Sequence, residues 1–328
     1  MRIIGHTNTK EQIGIAVDSA KKLNMAPPHM IFSGAAGCGK TTMAKYVASV
    51  VGGNFLSYSP DSLKNYDDVL DALDKLDHSG YNNTGDRIAE VKPTVLFFDE
   101  IHRMPILGQE KLGIAMEEFR IESGIPNTFF WVPYFTIIGA TTDEGLLSKP
   151  FMDRFKLKFT FEPYSMAESQ QIVKTHAKRL KLKITPAAIR EISMRGRGVP
   201  RILVRYLERV RDAGLAYGSI ILTSGLAKTV FSKLNIDENG LTRADIKVLR
   251  ALVRAAGPVG LENLSIITNE SPRTLSYSIE PYLIQKGLMI RKGTGRTITA
   301  EGEEYLSASS LSTNAFRKEK ITHDYVRR

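Results

Sequence analysis

The chain has 328 residues, enough for two or three domains with real cores. Its composition, 42% hydrophobic and 24% charged, is that of a soluble globular protein. No apolar run approaches a membrane span, no basic-then-apolar leader opens the chain, and a single cysteine excludes an internal disulfide framework. These features point to a reducing, cytoplasmic setting. An excess of 45 basic over 35 acidic residues, a net charge of +10, suggests a polyanionic partner, nucleic acid first.

In chain order, Ile3-Ile4-Gly5-His6 leads into a helix over Thr9–Lys22, with Ile13, Ala16, Val17 and Ala20 on one face and Pro27-Pro28 beyond its end. Met30-Ile31-Phe32 reads as a strand. Gly34-Ala35-Ala36-Gly37-Cys38-Gly39-Lys40-Thr41 follows and opens into a helix through Thr42. Strand, glycine loop and helix is the context of a phosphate-binding loop. The glycines let backbone N–H groups turn inward at phosphate oxygens, and the helix N-terminus adds further donors. Gly34, Gly37, Cys38, Gly39, Lys40, Thr41 and Thr42 are therefore candidate ATP contacts. Lys40 reaches the β- and γ-phosphates, and the Thr41 hydroxyl holds Mg²⁺. Cys38 is a small incidental residue of this loop rather than a nucleophile.

Asn54–Ser59 reads as a strand, Asp67–Leu76 as an amphipathic helix and Tyr81–Asp86 as a loop. Val95-Leu96-Phe97-Phe98-Asp99-Glu100 is an apolar run ending in carboxylates, the pattern of a buried parallel strand delivering acids to its C-terminal edge. Asp99 is the candidate Mg²⁺ ligand, and Glu100 the group that polarises an attacking water. Phe135–Thr142 is a second buried strand ending in hydroxyls, placed to come between the two nucleotide motifs. Between these strands, Phe119–Tyr134 reads as a hairpin whose Phe129, Phe130 and Trp131 are either core or an exposed contact surface.

Helices are expected over Ser165–Leu182, Thr185–Met194 and Pro200–Tyr217, then a polar link at Asn235–Gly240. Three helices, Thr242–Arg254, Leu261–Thr268 and Ser271–Gly287, precede a two-stranded wing with a glycine turn around Lys292-Gly293-Thr294-Gly295. This is the pattern of a winged helix. Arg291, Lys292 and Arg296 gather on the wing without an aromatic platform, which favours duplex phosphates over single-strand stacking. From Ser307 the chain turns serine-rich and then basic, and reads as a tail.

With Ser148-Lys149-Pro150-Phe151-Met152-Asp153-Arg154-Phe155, Gly198-Val199-Pro200-Arg201-Ile202, Gly257-Pro258-Val259-Gly260-Leu261 and Glu280-Pro281-Tyr282-Leu283-Ile284-Gln285-Lys286-Gly287, the chain resembles the RuvB family of AAA+ Holliday-junction branch-migration ATPases, from about Ile3 to about Tyr305. The resemblance implies an α/β fold: an AAA+ P-loop core with a parallel sheet (1–163), a helical lid (164–236) and a winged helix (237–306), followed by a basic tail (307–328). It implies that Arg154 is an arginine finger for a neighbouring subunit's ATP, Thr142 the sensor on the sheet, and Arg201 the lid arginine that reads phosphate. The other reading of Arg154 is a salt bridge to an acidic neighbour. Ile4 and Tyr164 would lie near the adenine.

The implied partners are double-stranded DNA, four-way junctions, further copies of the chain in a hexameric ring, and a RuvA-like junction-binding protein. Several positions depart from the family. The leader before Ile3 is nearly absent, Met152 and Asp143 replace arginines, and the Phe119–Tyr134 hairpin is shorter, which leaves the RuvA-like partner open. A compact phage-type variant would have this form. The expected function is ATP-driven branch migration. A clamp-loader-like remodelling ATPase and an ATP-switched DNA-binding regulator are the alternatives.

Overall fold

The computed structural model describes residues 3–63, 65–81, 92–122 and 129–308. They form two compact units: the first reaches Ile172 and takes in Gly198–Arg201, and the second comprises Val173–Arg197 and the chain from Ile202.

The first unit runs α1 (Thr7–Lys22), β1 (Met30–Gly34), α2 (Lys40–Val51), β2 (Asn54–Tyr58), α3 (Tyr66–Asp74), β3 (Thr94–Phe98), α4 (Ile106–Glu118), β4 (Arg120–Glu122), β5 (Phe129–Trp131), β6 (Phe135–Thr141), α5 (Lys149–Asp153) and β7 (Leu157–Phe161). Five of these strands form one parallel sheet in the order β2-β3-β6-β1-β7. Residues alternate between its faces, as the two-residue period of a strand requires. Ile31, Leu96, Phe98, Phe135 and Ile137 pack with α3 and α4 on one side. Met30, Phe32, Val95, Phe97, Ile138 and Ala140 pack with α1 and α2 on the other. Because both faces are covered, β3 and β6 are buried along their whole length and mostly apolar rather than alternating.

His29 ties the sheet to α4. Its Nδ1 accepts from the Ile137 N–H at 2.8 Å, and its Nε2 lies 3.1 Å from the Met116 carbonyl oxygen. Burial lowers its pKa to about 4, so it is a neutral structural imidazole. The hairpin is real: β4 and β5 pair antiparallel, and Phe129, Phe130 and Trp131 are exposed. Its turn around Ser123-Gly124 and Pro126-Asn127 lies outside the described residues, as do residues 82–86 of the expected Tyr81–Asp86 loop.

From α6 (Met166–Arg179) the chain passes into the second unit, with β8 (Lys183–Ile184), α7 (Pro186–Arg195), α8 (Pro200–Ala216), β9 (Ile221–Leu222) and α9 (Ser224–Lys233). Then come α10 (Arg243–Ala255), α11 (Leu261–Thr268), α12 (Pro272–Thr274), α13 (Glu280–Gln285), β10 (Met289–Lys292) and β11 (Gly295–Ile298). Residues 300–308 form a further helix. Leu249, Leu252, Leu264, Leu275, Leu283 and Met289 share one core, which makes this region a winged helix.

Two expectations need correction. Ser271–Gly287 is not one regular helix, because Leu275–Ile279 is a π turn between α12 and α13. Pro281 explains it: proline lacks an N–H and its ring crowds the carbonyl four residues back, so the preceding turn widens. Ser307 belongs to the last helix rather than to a tail, and the remainder, 309–328, lies outside the described residues. Among the described residues no helix is long and apolar enough to cross a membrane.

Candidate functional site

The sheet order decides what meets at its carboxyl edge, where open α/β sheets bind ligands. β6 lies between β3 and β1, with Phe98 beside Gly139 and Ser33 beside Thr141. The loops after β1, β3 and β6 therefore emerge side by side. They carry the glycine loop, Asp99-Glu100 and Thr142.

Gly37 and Gly39 have φ of 85° and 99°, which side chains rarely adopt. Gly39 is the N-cap of α2, and Lys40 begins the helix. The Lys40 ammonium donates to the carbonyls of Gly34 at 2.6 Å and Ala35 at 3.1 Å. It is held over the loop it closes. Burial lowers its pKa, opposed by the nearby Glu100, Cys38 and Asp99. Cys38 is buried, and burial raises its thiol pKa, so it is a poor nucleophile. Thr41 is partly exposed on the first turn of α2, and Thr42 is exposed beside it.

Glu100 sits in left-handed backbone, φ 53°. For a residue with a side chain this is a sparsely populated state that surrounding structure must hold. The Thr142 hydroxyl donates to Glu100 Oε2 at 2.8 Å. The Thr141 hydroxyl donates to the Asp143 carbonyl at 2.9 Å, so the His102 Nδ1 contact to Thr141 Oγ1 at 2.9 Å is a donation from the imidazole. His102 Nδ1 is also 3.3 Å from Glu100 Oε2. Thr141 and His102 were not singled out in the sequence, and their signal was only their adjacency to Thr142 and Glu100. Asp99 is exposed at the end of β3. Among the described residues no three His, Cys, Asp or Glu side chains converge as a metal cage. A cation here would depend on Thr41, Asp99 and phosphate oxygens, which suits Mg²⁺.

The Gly198–Arg201 segment belongs to the same unit. A Cβ added to Gly37 would lie 2.8 Å from the Arg201 Cβ and 3.2 Å from Val199, so glycine is what lets this segment approach the loop. The Arg201 side chain is exposed. On the other side, a Cβ on Gly39 would lie 3.2 Å from the Tyr164 hydroxyl. The Tyr164 ring meets His6 edge-on at 4.8 Å, and His6 meets Phe161 at 4.6 Å. Burial pushes the Tyr164 pKa up to about 12. Ile4 lies partly buried two residues before His6. The His6 Nε2 is buried without a hydrogen-bond partner among the described residues, which leaves a polar atom for a bound molecule to satisfy. Sequence reasoning passed over His6.

Arg154 lies at the C-terminal end of α5. Its Nε donates to the Gly113 carbonyl at 2.8 Å and its Nη1 to the Pro150 carbonyl at 2.7 Å. Its Nη2 is 3.3 Å from Glu117. Within one subunit this is the salt-bridged arrangement.

On the wing, Arg291 and Lys292 are exposed. Arg296 is not, and its place among the DNA contacts is corrected. Its Nε and Nη2 donate to the Glu280 carboxylate at 2.8 and 3.2 Å, with side-chain exposures of 8% and 2%. It stands opposite Arg291 on the same face of the β10–β11 pair, and its ion pair with Glu280 seats it against α13. Sequence reasoning missed a larger basic face: Arg243, Lys247, Arg250 and Arg254 are exposed along α10, at helical spacing.

Three family models match in succession. The Holliday junction DNA helicase RuvB P-loop domain covers residues 1–161, the RuvB AAA lid domain 164–237, and the RuvB C-terminal winged helix domain 238–307. The chain belongs to the RuvB family. It is 36% identical over 311 residues to the Holliday junction branch migration complex subunit RuvB of Streptococcus pneumoniae strain CGSP14, covering 92% of this chain and 90% of that one. The Bifidobacterium longum subunit is 35% identical over 314 residues, covering 92% and 84%. The Thermotoga maritima RuvB Holliday junction branch migration motor superposes with a TM-score of 0.78 at 32% identity, covering 93% of this chain and 95% of that structure. This RuvB-family chain thus has an AAA+ P-loop core, then helical elements, then a C-terminal winged helix. The relatives named here are cellular bacterial proteins, and nothing in them singles out a compact phage-type variant.

Proposed function

We propose that this chain is an ATP-driven translocase on double-stranded DNA that migrates four-way junctions, working as a ring, a hexamer, with ATP sites completed between subunits. The observation that carries the reading is the succession of RuvB P-loop, lid and winged-helix matches over residues 1–161, 164–237 and 238–307. We divide the chain accordingly into an ATPase domain (1–163), a lid (164–236) and a winged helix from 237 whose last helix runs to residue 308.

Lys40 and the backbone N–H groups of Gly37 and Gly39 would bind the phosphates. Mg²⁺, held by Thr41 and Asp99, would supply charge neutralisation at the β- and γ-phosphates. Glu100, oriented by the Thr142 hydroxyl, would accept a proton from the attacking water. Arg201 would read the γ-phosphate beside Gly37. Ile4, His6 and Tyr164 would enclose the adenine, with His6 Nε2 free to hydrogen-bond it. Arg154 would leave Glu117 and reach the next subunit's phosphate. Arg291, Lys292 and the α10 face would hold duplex phosphates without reading bases. The exposed Phe129, Phe130 and Trp131 of the β4–β5 hairpin support docking of a RuvA-like protein.

The test is ATP hydrolysis by the purified chain with and without a four-way junction at low salt, followed by junction dissociation. Stimulation by the junction and dissociation that vanishes in Lys40→Ala is the expected result. Hydrolysis without any junction response, with or without a RuvA-like partner, would overturn the reading in favour of a clamp-loader-like remodeller. A tight preference for one duplex sequence would favour a regulator.

A further inference from the structure

Arg197 has no role in the site described above, yet it is among the most constrained side chains of the second unit. Its backbone is left-handed, φ 57°, which a residue with a side chain keeps only when its surroundings hold it. The guanidinium shows what holds it. Nε and Nη2 both donate to the Gly240 carbonyl, at 3.0 and 2.8 Å, and Nη2 also donates to Asp245 Oδ2 at 2.5 Å. Its Cζ lies over the Tyr282 ring, 4.2 Å from the centroid. The Arg197 and Asp245 side chains are 10% and 1% exposed.

Each partner is itself structural. Asp245 completes the capping box of α10, accepting from the Thr242 N–H at 2.6 Å. Gly240 has φ 77°, and a Cβ there would lie 2.7 Å from the Arg195 carbonyl oxygen, so the two backbones touch. The Tyr282 hydroxyl donates to the Asn239 carbonyl at 2.5 Å, and the Tyr305 hydroxyl donates to Asp237. One buried cation thus joins the end of α7 to the polar link at 237–240, to the first helix of the winged helix and to α13. A glycine-bearing acidic link would otherwise be a natural hinge.

Arg197 also directly precedes Gly198–Arg201, the segment that packs on the phosphate loop. We propose that Arg197 is a positioning residue that locks the end of α7 to the winged helix, so that a movement which ATP state imparts to the chain at Gly198 is passed to the DNA-contacting domain instead of being absorbed at the link. The proposal rests on the translocase reading above. The chemistry calls for arginine: its planar fork serves Gly240 and Asp245 together while stacking on Tyr282, and a lysine ammonium cannot.

The test uses two variants, because Arg197→Ala alone would leave the Asp245 charge buried and unpaired. Arg197→Lys keeps the charge, and Arg197→Leu with Asp245→Asn removes both charges while Asn keeps a capping oxygen. Both are to be compared with the unmodified chain by thermal unfolding, ATP hydrolysis without DNA, duplex affinity and base pairs migrated per ATP. Hydrolysis and affinity should stay within about threefold while migration per ATP falls about tenfold. Migration per ATP that is unchanged, or that falls only in step with hydrolysis or affinity, would overturn the proposal.

A second readout does not need motor activity. Spin labels at Lys174→Cys and Glu304→Cys, both exposed, can be attached selectively because Cys38 is buried. One narrow distance is expected in ADP and in a non-hydrolysable ATP analogue, broadening in both variants. A distance already broad in the unmodified chain, or unaltered in the variants, would reject the role of Arg197. If the unmodified chain migrates no junction, the translocase reading fails, and the label distances still decide the matter for Arg197.

Discussion

In the proposed mechanism Thr142 would act on the chemistry through one oxygen. Its hydroxyl holds Glu100 Oε2, and Glu100 pays a backbone cost to stand at the sheet edge in left-handed conformation. Thr142→Val keeps the shape and removes the donor. Hydrolysis should fall about a hundredfold while affinity for a non-hydrolysable ATP analogue stays within a few-fold. Turnover and analogue binding measured on the same preparation check this, and a parallel loss of both would mean that Thr142 serves binding instead. Thr142 was legible as a candidate because a buried strand ending in hydroxyls announces itself locally. Its hydrogen bond was not, since Glu100 lies 42 residues earlier and is brought alongside by strand pairing.

Elements show a similar division. The strands before the glycine loop and before Asp99-Glu100 were readable because both faces are buried and the runs are continuously apolar. α4 and α9 drew no expectation, although α4 backs one face of the sheet. In the wing, three basic residues looked alike, and packing separates them. Arg296→Ala should lower the stability of the winged helix by about 3–5 kcal/mol, because it strands a buried carboxylate at Glu280. Arg291→Ala should leave the melting temperature unchanged and reduce the slope of log affinity against log salt by about one. Calorimetry and duplex binding across a salt series distinguish the two. A pure DNA-affinity loss in Arg296→Ala would contradict its burial.

At the scale of the whole molecule, the ATP site as proposed needs a second copy to supply its arginine finger, and Arg154 would have to exchange its own-subunit partners Gly113, Pro150 and Glu117 for that phosphate. Arg154→Ala should retain ATP affinity and lose hydrolysis by about a thousandfold. Mixing it with Glu100→Gln subunits should restore part of the turnover, since some interfaces then pair an intact Glu100 with an intact Arg154. Hydrolysis measured across mixing ratios decides this, and no recovery at any ratio would contradict a site shared between subunits.

The sequence by itself determined the phosphate loop, the carboxylate strand, the family resemblance and the winged-helix pattern, because each is written in residues close together along the chain. Tertiary structure alone decided which cations face solvent and which are locked inside. Arg291 and Arg296 are equally basic and only five residues apart. They stand opposite each other on one face of the wing, yet packing leaves Arg291 in solvent and closes Arg296 onto Glu280, while Arg197 finds Asp245 across 48 residues. Burial and charge pairing are properties of what the fold brings together, so no local pattern carries them.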